Sequence, residues 1–309
     1  MHALIYLLLA VLPAIAMAEK NDSPPASSGE RALQNNIRFE CRREADVLPP
    51  VNQDADTLYQ YGLFLQQRER PSDISDAARY YRVAAAHGHY KAATNLQALI
   101  TQGLERSPNG QEEALALVEK FMTLGVPGAY YDMAHYLESG YGIDQDQDQD
   151  QDQEKAKAKA KANAYFRKAA DLGNADAQYY VATLLGRLKG GARVMEQMLH
   201  CAAYQGHAQS ARELAAYLRT GKKYKDAVDA YQQATRSGNT ISARMLSEAF
   251  KGVSSPDSLF YMNLEADEER SKRYEAIHKF LKANEALVWC FTSTNENIVY
   301  AHLKPTRES

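Results

Sequence analysis

Histidines, serines and glycines stand at several places where an active site could use them, but the companions that chemistry needs are missing. His87-Gly88-His89 could bind a metal ion, yet no Cys, Asp or His set at ligand spacing accompanies it. No Gly-x-Ser-x-Gly motif presents a nucleophile on a sharp turn, and the glycines at 186–191 lack the Lys-Ser/Thr element of a phosphate loop. The sequence therefore predicts a protein that is not an enzyme and that uses no cofactor.

Tyrosine is the side chain with the most evident capacity for binding, because the chain has 20 tyrosines and one tryptophan. Adjacent residues on a helix point about 100° apart, so at most one member of each Tyr-Tyr pair packs inward. These side chains are either core and rim filler or an exposed ladder of anchors on a concave face. The candidate partner-binding tyrosines are Tyr80, Tyr130, Tyr131 and Tyr179.

A second candidate for binding is a low-complexity insertion at 144–162. Five Asp-Gln dipeptides at 144–153 precede Glu154 and four Lys-Ala dipeptides at 155–162. The Asp-Gln tract predicts a solvated loop, whereas the Lys-Ala tract can extend the following helix. The insertion is either a tolerated loop expansion or an acidic finger that meets a basic partner. The acidic candidates are Asp144, Asp146, Asp148, Asp150 and Asp152.

A repeated turn organises the helices that must position these side chains. It places a glycine after an Ala-rich helix and directly before a second helix, at Gly88, Gly125, Gly173, Gly206 and Gly238. The glycines are spaced 37, 48, 33 and 32 residues apart, and the insertion explains the longest interval. Periods in the thirties are typical of stacked helical hairpins. We therefore predict an all-α protein, a right-handed α-solenoid over residues 54–252.

The helix that precedes these hairpins, and the one that follows them, show apolar stripes at helical spacing. Leu58, Tyr61, Gly62 and Leu65 are predicted to form the inward face of the first helix. Residues 253–309 form a predicted capping region, in which a helix with an apolar stripe that includes Tyr274 covers the open end of the stack. Beyond this helix, 288–291 and 298–300 have strand-like composition, which allows a short β-hairpin.

The amino terminus reads as an export signal. Residues 1–18 combine an apolar run, Pro13 and the small-x-small sequence Ala16-Met17-Ala18, which predicts cleavage before Glu19 and a periplasmic location. Residues 19–53 are then a flexible or extended segment, because they are rich in Ser, Pro and Asn. The apolar run is too short to span a bilayer, so membrane insertion is not expected.

Export permits disulfide bonds, and the chain has three cysteines. Cys201 stands where other repeats carry Ala or Val, which favours a small buried core residue. A bridge between Cys41 and Cys290 would join the two ends of the chain. The sequence leaves both interpretations open.

Composition places the chain among globular proteins and gives it no charge-based affinity for nucleic acid. Apolar residues make up 45% of its 309 residues and the formal net charge is -3. The expected partner is another protein. The sequence does not determine the oligomeric state.

The repeats resemble Sel1-like repeats, relatives of the tetratricopeptide repeat. The match is closest at 165–179, Tyr-Phe-Arg-Lys-Ala-Ala-Asp-Leu-Gly-Asn-Ala-Asp-Ala-Gln-Tyr, and at the helix exit Gly140-Tyr141-Gly142-Ile143. Phe39-x-Cys41, Leu48-Pro49-Pro50, 78–92 and 267–281 are similar to a narrower group of exported bacterial proteins. That group resembles immunity proteins encoded beside type VI secretion lipase effectors, notably phospholipase D-type toxins.

The resemblance implies a periplasmic immunity-type protein that binds and blocks a phospholipase D-like effector. The chain departs from the group in its dipeptide insertion and in its tail after Asn284. The alternative is a Sel1-repeat scaffold or regulator of envelope or secretion machinery, whose partners would be resident proteins. The neighbouring gene distinguishes the two, because a phospholipase D-type lipase beside this gene favours immunity.

Overall fold

The computed structural model describes residues 38–142 and 151–284, which contain twelve α-helices and no β-strand. The predicted signal peptide, the leader up to residue 37 and the region of the allowed hairpin lie outside these ranges. The helices are α1 (Gln53–Gln66), α2 (Pro71–Ala86), α3 (Tyr90–Thr101), α4 (Gly110–Thr123), α5 (Pro127–Ser139), α6 (Gln151–Asp171), α7 (Ala175–Leu185), α8 (Ala192–Tyr204), α9 (Ala208–Thr220), α10 (Tyr224–Arg236), α11 (Thr240–Ala249) and α12 (Glu268–Ala283).

Each repeated turn ends one helix and begins the next within a few residues. All five turn glycines have positive φ, from 75° at Gly125 to 104° at Gly173, as expected for glycines that stop a helix. In four of the five hairpins a side chain then caps the second helix by accepting a hydrogen bond from a backbone N–H. The capping residues are His89, Asn174, His207 and Asn239. The predicted all-α hairpin architecture is confirmed.

The helices stack in chain order. Each one packs mainly against the helices before and after it, which is the contact pattern of a solenoid. The buried side chains form two large clusters that meet at α5, where Ala129 belongs to the earlier cluster and Ala134 to the later one. Alanines fill many of the buried positions, because a small side chain lets two helix backbones approach closely.

The inward face of α1 differs from the prediction by a rotation. Gly62 and Leu65 are buried as expected, but Tyr59 is buried and Tyr61 is 47% exposed. Gly62 lies against the ring of Tyr81, since an added Cβ would meet that ring at 2.7 Å. This close contact fixes which side of α1 faces α2 and turns Tyr61 outward.

The insertion forms more helix than predicted. Helix α6 begins at Gln151, so the last residues of the Asp-Gln tract are helical together with the whole Lys-Ala tract. The acidic first turn of α6, with Asp152 and Glu154, suits the positive end of the helix dipole. Lys157 forms an ion pair with Glu154 at 2.8 Å one turn further on. The predicted loop over 144–153 is therefore wrong for its final residues.

The final helix covers the end of the stack. Ser247 and Ser271 exchange hydrogen bonds, each hydroxyl donating to the other residue's carbonyl oxygen at 3.1 and 2.9 Å. The rings of Phe250 and Tyr274 stack in parallel at 5.8 Å between centroids. These paired contacts bind α12 to α11, in the capping position that the sequence predicts.

Residues 38–50, called here the N-terminal strap, run back across the turns of the middle hairpins. The strap includes a short 3-10 turn at Glu44–Asp46, and the rest has no regular structure. The carbonyl of Arg42 accepts a hydrogen bond from Gln178 at 3.1 Å, and the amide of Glu44 donates to Gln205 at 2.9 Å. The strap is thus bound to α7 and to the end of α8.

A disulfide bond fixes the strap to the repeats. It joins Cys41 to Cys201 of α8, with the two Cα atoms 5.6 Å apart. The possible Cys41–Cys290 bridge is therefore wrong, because Cys41 is already paired. Cys290 lies outside the described residues. Cys201 is buried as predicted, but it serves as a crosslink, because the strap turns back toward the middle of the stack instead of toward the carboxyl end.

Candidate partner-binding surface

An aromatic patch, formed by the exposed rings of Tyr61 and Phe64 and the half-buried ring of Tyr80, lies at the first helical pair. Tyr61 meets Tyr80 edge to face at 4.8 Å and lies 6.2 Å from Phe64 between ring centroids. Phe64 is 53% exposed, and the guanidinium of Arg68 lies 5.8 Å from its ring centroid. Exposed aromatic rings beside an arginine have the composition of interface hot spots.

The other predicted tyrosines have partners within the fold. Tyr130 donates its hydroxyl hydrogen to the carbonyl of Met122 at 3.1 Å, and Tyr131 packs edge to face on Phe166 at 5.7 Å. Tyr179 accepts a hydrogen bond from Gln209 at 3.4 Å. All three are half-buried, and they lie on α5 and α7, apart from Tyr80 on α2.

A histidine begins α3 and explains the His-Gly-His sequence. The Nδ1 atom of His89 accepts a hydrogen bond from the amide of Ala92 at 3.1 Å, so its Nε2 carries the hydrogen and faces Asp56 at 3.2 Å. The ring stacks on Tyr59 at 4.4 Å, and burial lowers the pKa of His89 below its usual value. His89 therefore acts as a neutral helix cap.

The same arrangement recurs three hairpins later. His207 accepts a hydrogen bond from the amide of Ser210 at 3.1 Å, and its Nε2 lies 3.2 Å from Asp176. Tyr179 lies 5.2 Å from the His207 ring. In both cases an Asp-x-x-Tyr sequence in one helix receives a histidine from the helix start of the next hairpin.

Three carboxylates gather where the strap crosses the helix starts. Glu44 accepts hydrogen bonds from the amide of Gly128 at 3.1 Å and from Asn174 at 3.2 Å. Burial raises the pKa of Glu44 above its usual value. Burial raises the pKa of Asp132 to about 7, and the negative charges of Glu44 and Asp176 contribute to that rise. We call Glu44, Asp132 and Asp176 the carboxylate cluster.

The acidic insertion can be placed only in part. Asp152 lies in the first turn of α6. The predicted partner-binding residues Asp144, Asp146, Asp148 and Asp150 lie outside the described residues. Their role as an acidic finger remains a prediction.

Sequence reasoning missed several residues of these surfaces for two different reasons. The apolar spacing of α1 places Tyr61 in the core and does not mark Phe64, because that spacing fits more than one rotation of the helix. Glu44 and Asp132 interact only across distant segments, so no local pattern marks them. The paired Asp-x-x-Tyr and histidine positions do recur in the sequence and could have indicated the histidine caps.

Across 38–142 and 151–284, no group of three His, Cys, Asp or Glu side chains could hold a metal ion. No helix in those ranges combines the length and the apolar character needed to cross a bilayer.

Solved structures of bacterial immunity proteins are similar to this chain. The chain is similar to the immunity protein PA5088 from Pseudomonas aeruginosa, with 28% identity over 87% of this chain and 95% of that one and a TM-score of 0.63. It is also similar to the immunity protein Pa5087 of the same organism, with 27% identity over 80% and 89% and a TM-score of 0.58. Both likenesses cover at least 80% of this chain.

Two further comparisons concern the fold. A Sel1 repeat protein from Oxalobacter formigenes shares 18% identity over 74% of this chain and 90% of that one, with a TM-score of 0.50. The family described as Domain of unknown function (DUF6396) matches residues 242–298. No curated protein matches significantly. The chain therefore has the Sel1-repeat solenoid fold and resembles bacterial immunity proteins, as the sequence indicates.

Proposed function

We propose that this protein is a periplasmic immunity-type protein that binds and blocks a type VI secretion effector of the phospholipase D-like lipase class. The observation that carries the proposal is its similarity to an immunity protein over 87% of the chain at 28% identity. Inhibition of this kind needs a surface that covers the effector's active-site entrance, and it needs no catalytic group. The lipase class and the periplasmic location rest on the sequence resemblance and the signal sequence.

The aromatic patch is the surface that we assign to the effector. A few residues contribute most of the binding free energy in protein interfaces, and aromatic side chains and arginine are enriched among them. Tyr61 and Phe64 are about half exposed although they are apolar, and burial against a partner would remove that area from water. The patch also includes Tyr80, which the sequence selects as a binding residue.

Co-expression tests the function directly. The full chain with its signal sequence is produced together with the product of the neighbouring gene, a lipase under this proposal, and that product is directed to the periplasm. We expect growth to be restored and the two proteins to co-purify. If the lipase stays toxic and no complex forms, while resident envelope proteins co-purify, the scaffold alternative replaces the proposal.

A pair of variants then tests the surface. We expect Tyr61→Ala/Phe64→Ala to weaken effector binding by at least about 2 kcal/mol, because truncated hot-spot residues have effects of this size. Ile241→Ala is the matched control, since Ile241 is 57% exposed on α11, outside the patch. Calorimetry with the purified effector measures the affinity of each variant. Equal affinities for the two variants would place the interface elsewhere.

A further inference from the structure

A basic pocket opens between the strap and the repeats. Its volume is about 630 Å³, and it lies between strap residues 38–42, the end of α6 and the start of α8. Five of its nine lining side chains are basic and two are acidic. The basic residues are Arg38, Arg42, Arg167, Lys168 and Arg193. The chain as a whole has a net charge of -3, so this concentration of positive charge is local.

The two acidic side chains do not neutralise the pocket. Asp171 forms an ion pair with Arg167 at 2.8 Å, and Glu40 lies 3.5 Å from Arg42. Arg193 donates only to the neutral amide of Gln197, at 3.3 Å. Three positive charges therefore remain without a compensating carboxylate in the part of the chain that the structure describes.

We propose that this pocket binds a phosphate-class oxyanion, as a soluble phosphate ester or as the phosphate of a lipid head group. Guanidinium groups present several N–H donors in fixed directions, which match the oxygens of a phosphate. A phosphate presents more acceptor oxygens than a carboxylate, so it can satisfy cations that converge from the strap and from two helices. Phe39 and Leu172 supply an apolar wall for the organic part of the ester.

The disulfide makes this site conditional on oxidation. The strap contributes four of the lining residues, and Cys41 lies between two of them in the sequence, Glu40 and Arg42. The Cys41–Cys201 bond holds this wall against α8, while Arg167 donates a hydrogen bond to the carbonyl of Arg38 from the other side. Reduction would release the covalent anchor of the wall and leave Arg38 and Arg42 held beside the helix cations by hydrogen bonds alone.

Titration calorimetry of the oxidised full chain with inorganic phosphate and with glycerol 3-phosphate tests the proposal. Flotation with phosphatidylcholine vesicles, with and without phosphatidylglycerol, forms the lipid arm. The test variant is Arg38→Gln/Arg193→Gln. The control is Arg106→Gln/Arg244→Gln, which removes the same charge from two exposed arginines outside the pocket.

We expect the test variant to lose about tenfold affinity per arginine while the control keeps the wild-type affinity. Dithiothreitol or Cys41→Ser/Cys201→Ser should reduce binding similarly, with the helical circular dichroism unchanged. Co-flotation that requires phosphatidylglycerol and the pocket arginines identifies a lipid head group, whereas binding of the soluble probes alone identifies a free phosphate ester. If no probe distinguishes wild type from the test variant, or if the control loses as much, the proposal is overturned. Effector binding is measured separately, so failure here leaves the proposed function standing.

Discussion

Two of the repeated turns, at Gly88 and at Gly173, share a sequence signature and a backbone conformation but differ in what lies against them. Their φ angles are 86° and 104°. A Cβ added at Gly88 would meet no atom within 4 Å, whereas one added at Gly173 would lie 2.5 Å from the carbonyl carbon of Arg43 in the strap. Gly88 ends a helix, and Gly173 both ends a helix and makes room for another segment.

The next residue in each turn repeats the difference. His89 and Asn174 both cap the following helix, but His89 contacts Asp56 of the preceding helix α1 whereas Asn174 binds Glu44 of the strap. The same position in the repeat thus contacts the preceding helix in one hairpin and binds the strap in another. A repeated signature determines the helix boundary, and the neighbouring chain determines its further role.

Removing the disulfide, which holds the strap against the turn at Gly173, should have the largest effect on stability. The bond closes a sequence separation of 160 residues, and crosslinks that close long loops stabilise by about 3–5 kcal/mol. We expect Cys41→Ser/Cys201→Ser to lower the free energy of unfolding by that amount. Urea denaturation of the variant and of wild type, each with and without reductant, measures it. Indistinguishable curves for oxidised wild type and the variant would show that the crosslink does not hold the strap.

Replacing the two glycines compares the turns directly. Gly88→Ala should lower the free energy of unfolding by about 1–2 kcal/mol, since the left-handed backbone conformation is the only source of strain for an alanine there. Gly173→Ala should cost about 2–5 kcal/mol, because overpacking against the strap is added. Urea denaturation of both variants provides the measurement. In the background Cys41→Ser/Cys201→Ser the difference between them should shrink, and a difference that persists would mean that the strap stays in place without its crosslink.

Gln205 holds the strap through its side chain and should have a smaller effect. Its amide accepts from the N–H of Glu44 at 2.9 Å and donates to the carbonyl of Gly173 at 3.0 Å. We expect Gln205→Ala to cost about 1–2 kcal/mol. His87 precedes Gly88 as Gln205 precedes Gly206, but it is exposed, and a Cβ added at Gly88 would meet no atom within 4 Å. We expect His87→Ala to change stability by less than about 0.5 kcal/mol. Equal thermal midpoints for the two variants would contradict the assigned role of Gln205.

The carboxylate cluster, which lies where the strap crosses the helix starts, should make the stability of the protein depend on pH. The pKa of Asp132 rises to about 7 in the folded chain, so between its ordinary value and pH 7 the folded chain keeps a proton that the unfolded chain has lost. Stability should therefore fall as the pH rises through this range. We expect the free energy of unfolding of Asp132→Asn to exceed that of wild type by about 1 kcal/mol at pH 8 and to differ little from it near pH 4.

Asp229→Asn supplies the matched control for this pH dependence, because Asp229 is exposed on α10, away from the strap. Denaturation midpoints measured across the pH range compare the two variants with wild type. A constant offset of Asp132→Asn at every pH would show that Asp132 does not titrate in this range.

Much of the fold follows from local sequence patterns. The turn glycines, the Ala-rich crossings and the final amphipathic helix each depend on residues within one or two helical turns, so their spacing predicts them. The rotation of α1 did not follow, since Tyr59 and Tyr61 compete for the inward position and only contact with Tyr81 decides between them. Among the predicted binding residues, Tyr80 lies beside the exposed Tyr61 in the aromatic patch, whereas Tyr130 and Tyr179 make hydrogen bonds within the fold.

The sequence by itself determined that this chain is a stack of helical hairpins, because each hairpin carries its own stop, start and packing signals. Only the tertiary structure decided that the strap returns to the middle of the stack, that Cys41 pairs with Cys201, and that Glu44 lies beside Asp132. These contacts join residues that are separated in the sequence by about two repeats or more. Their free energy depends on where the stacked helices bring the chain, and no local spacing records that position.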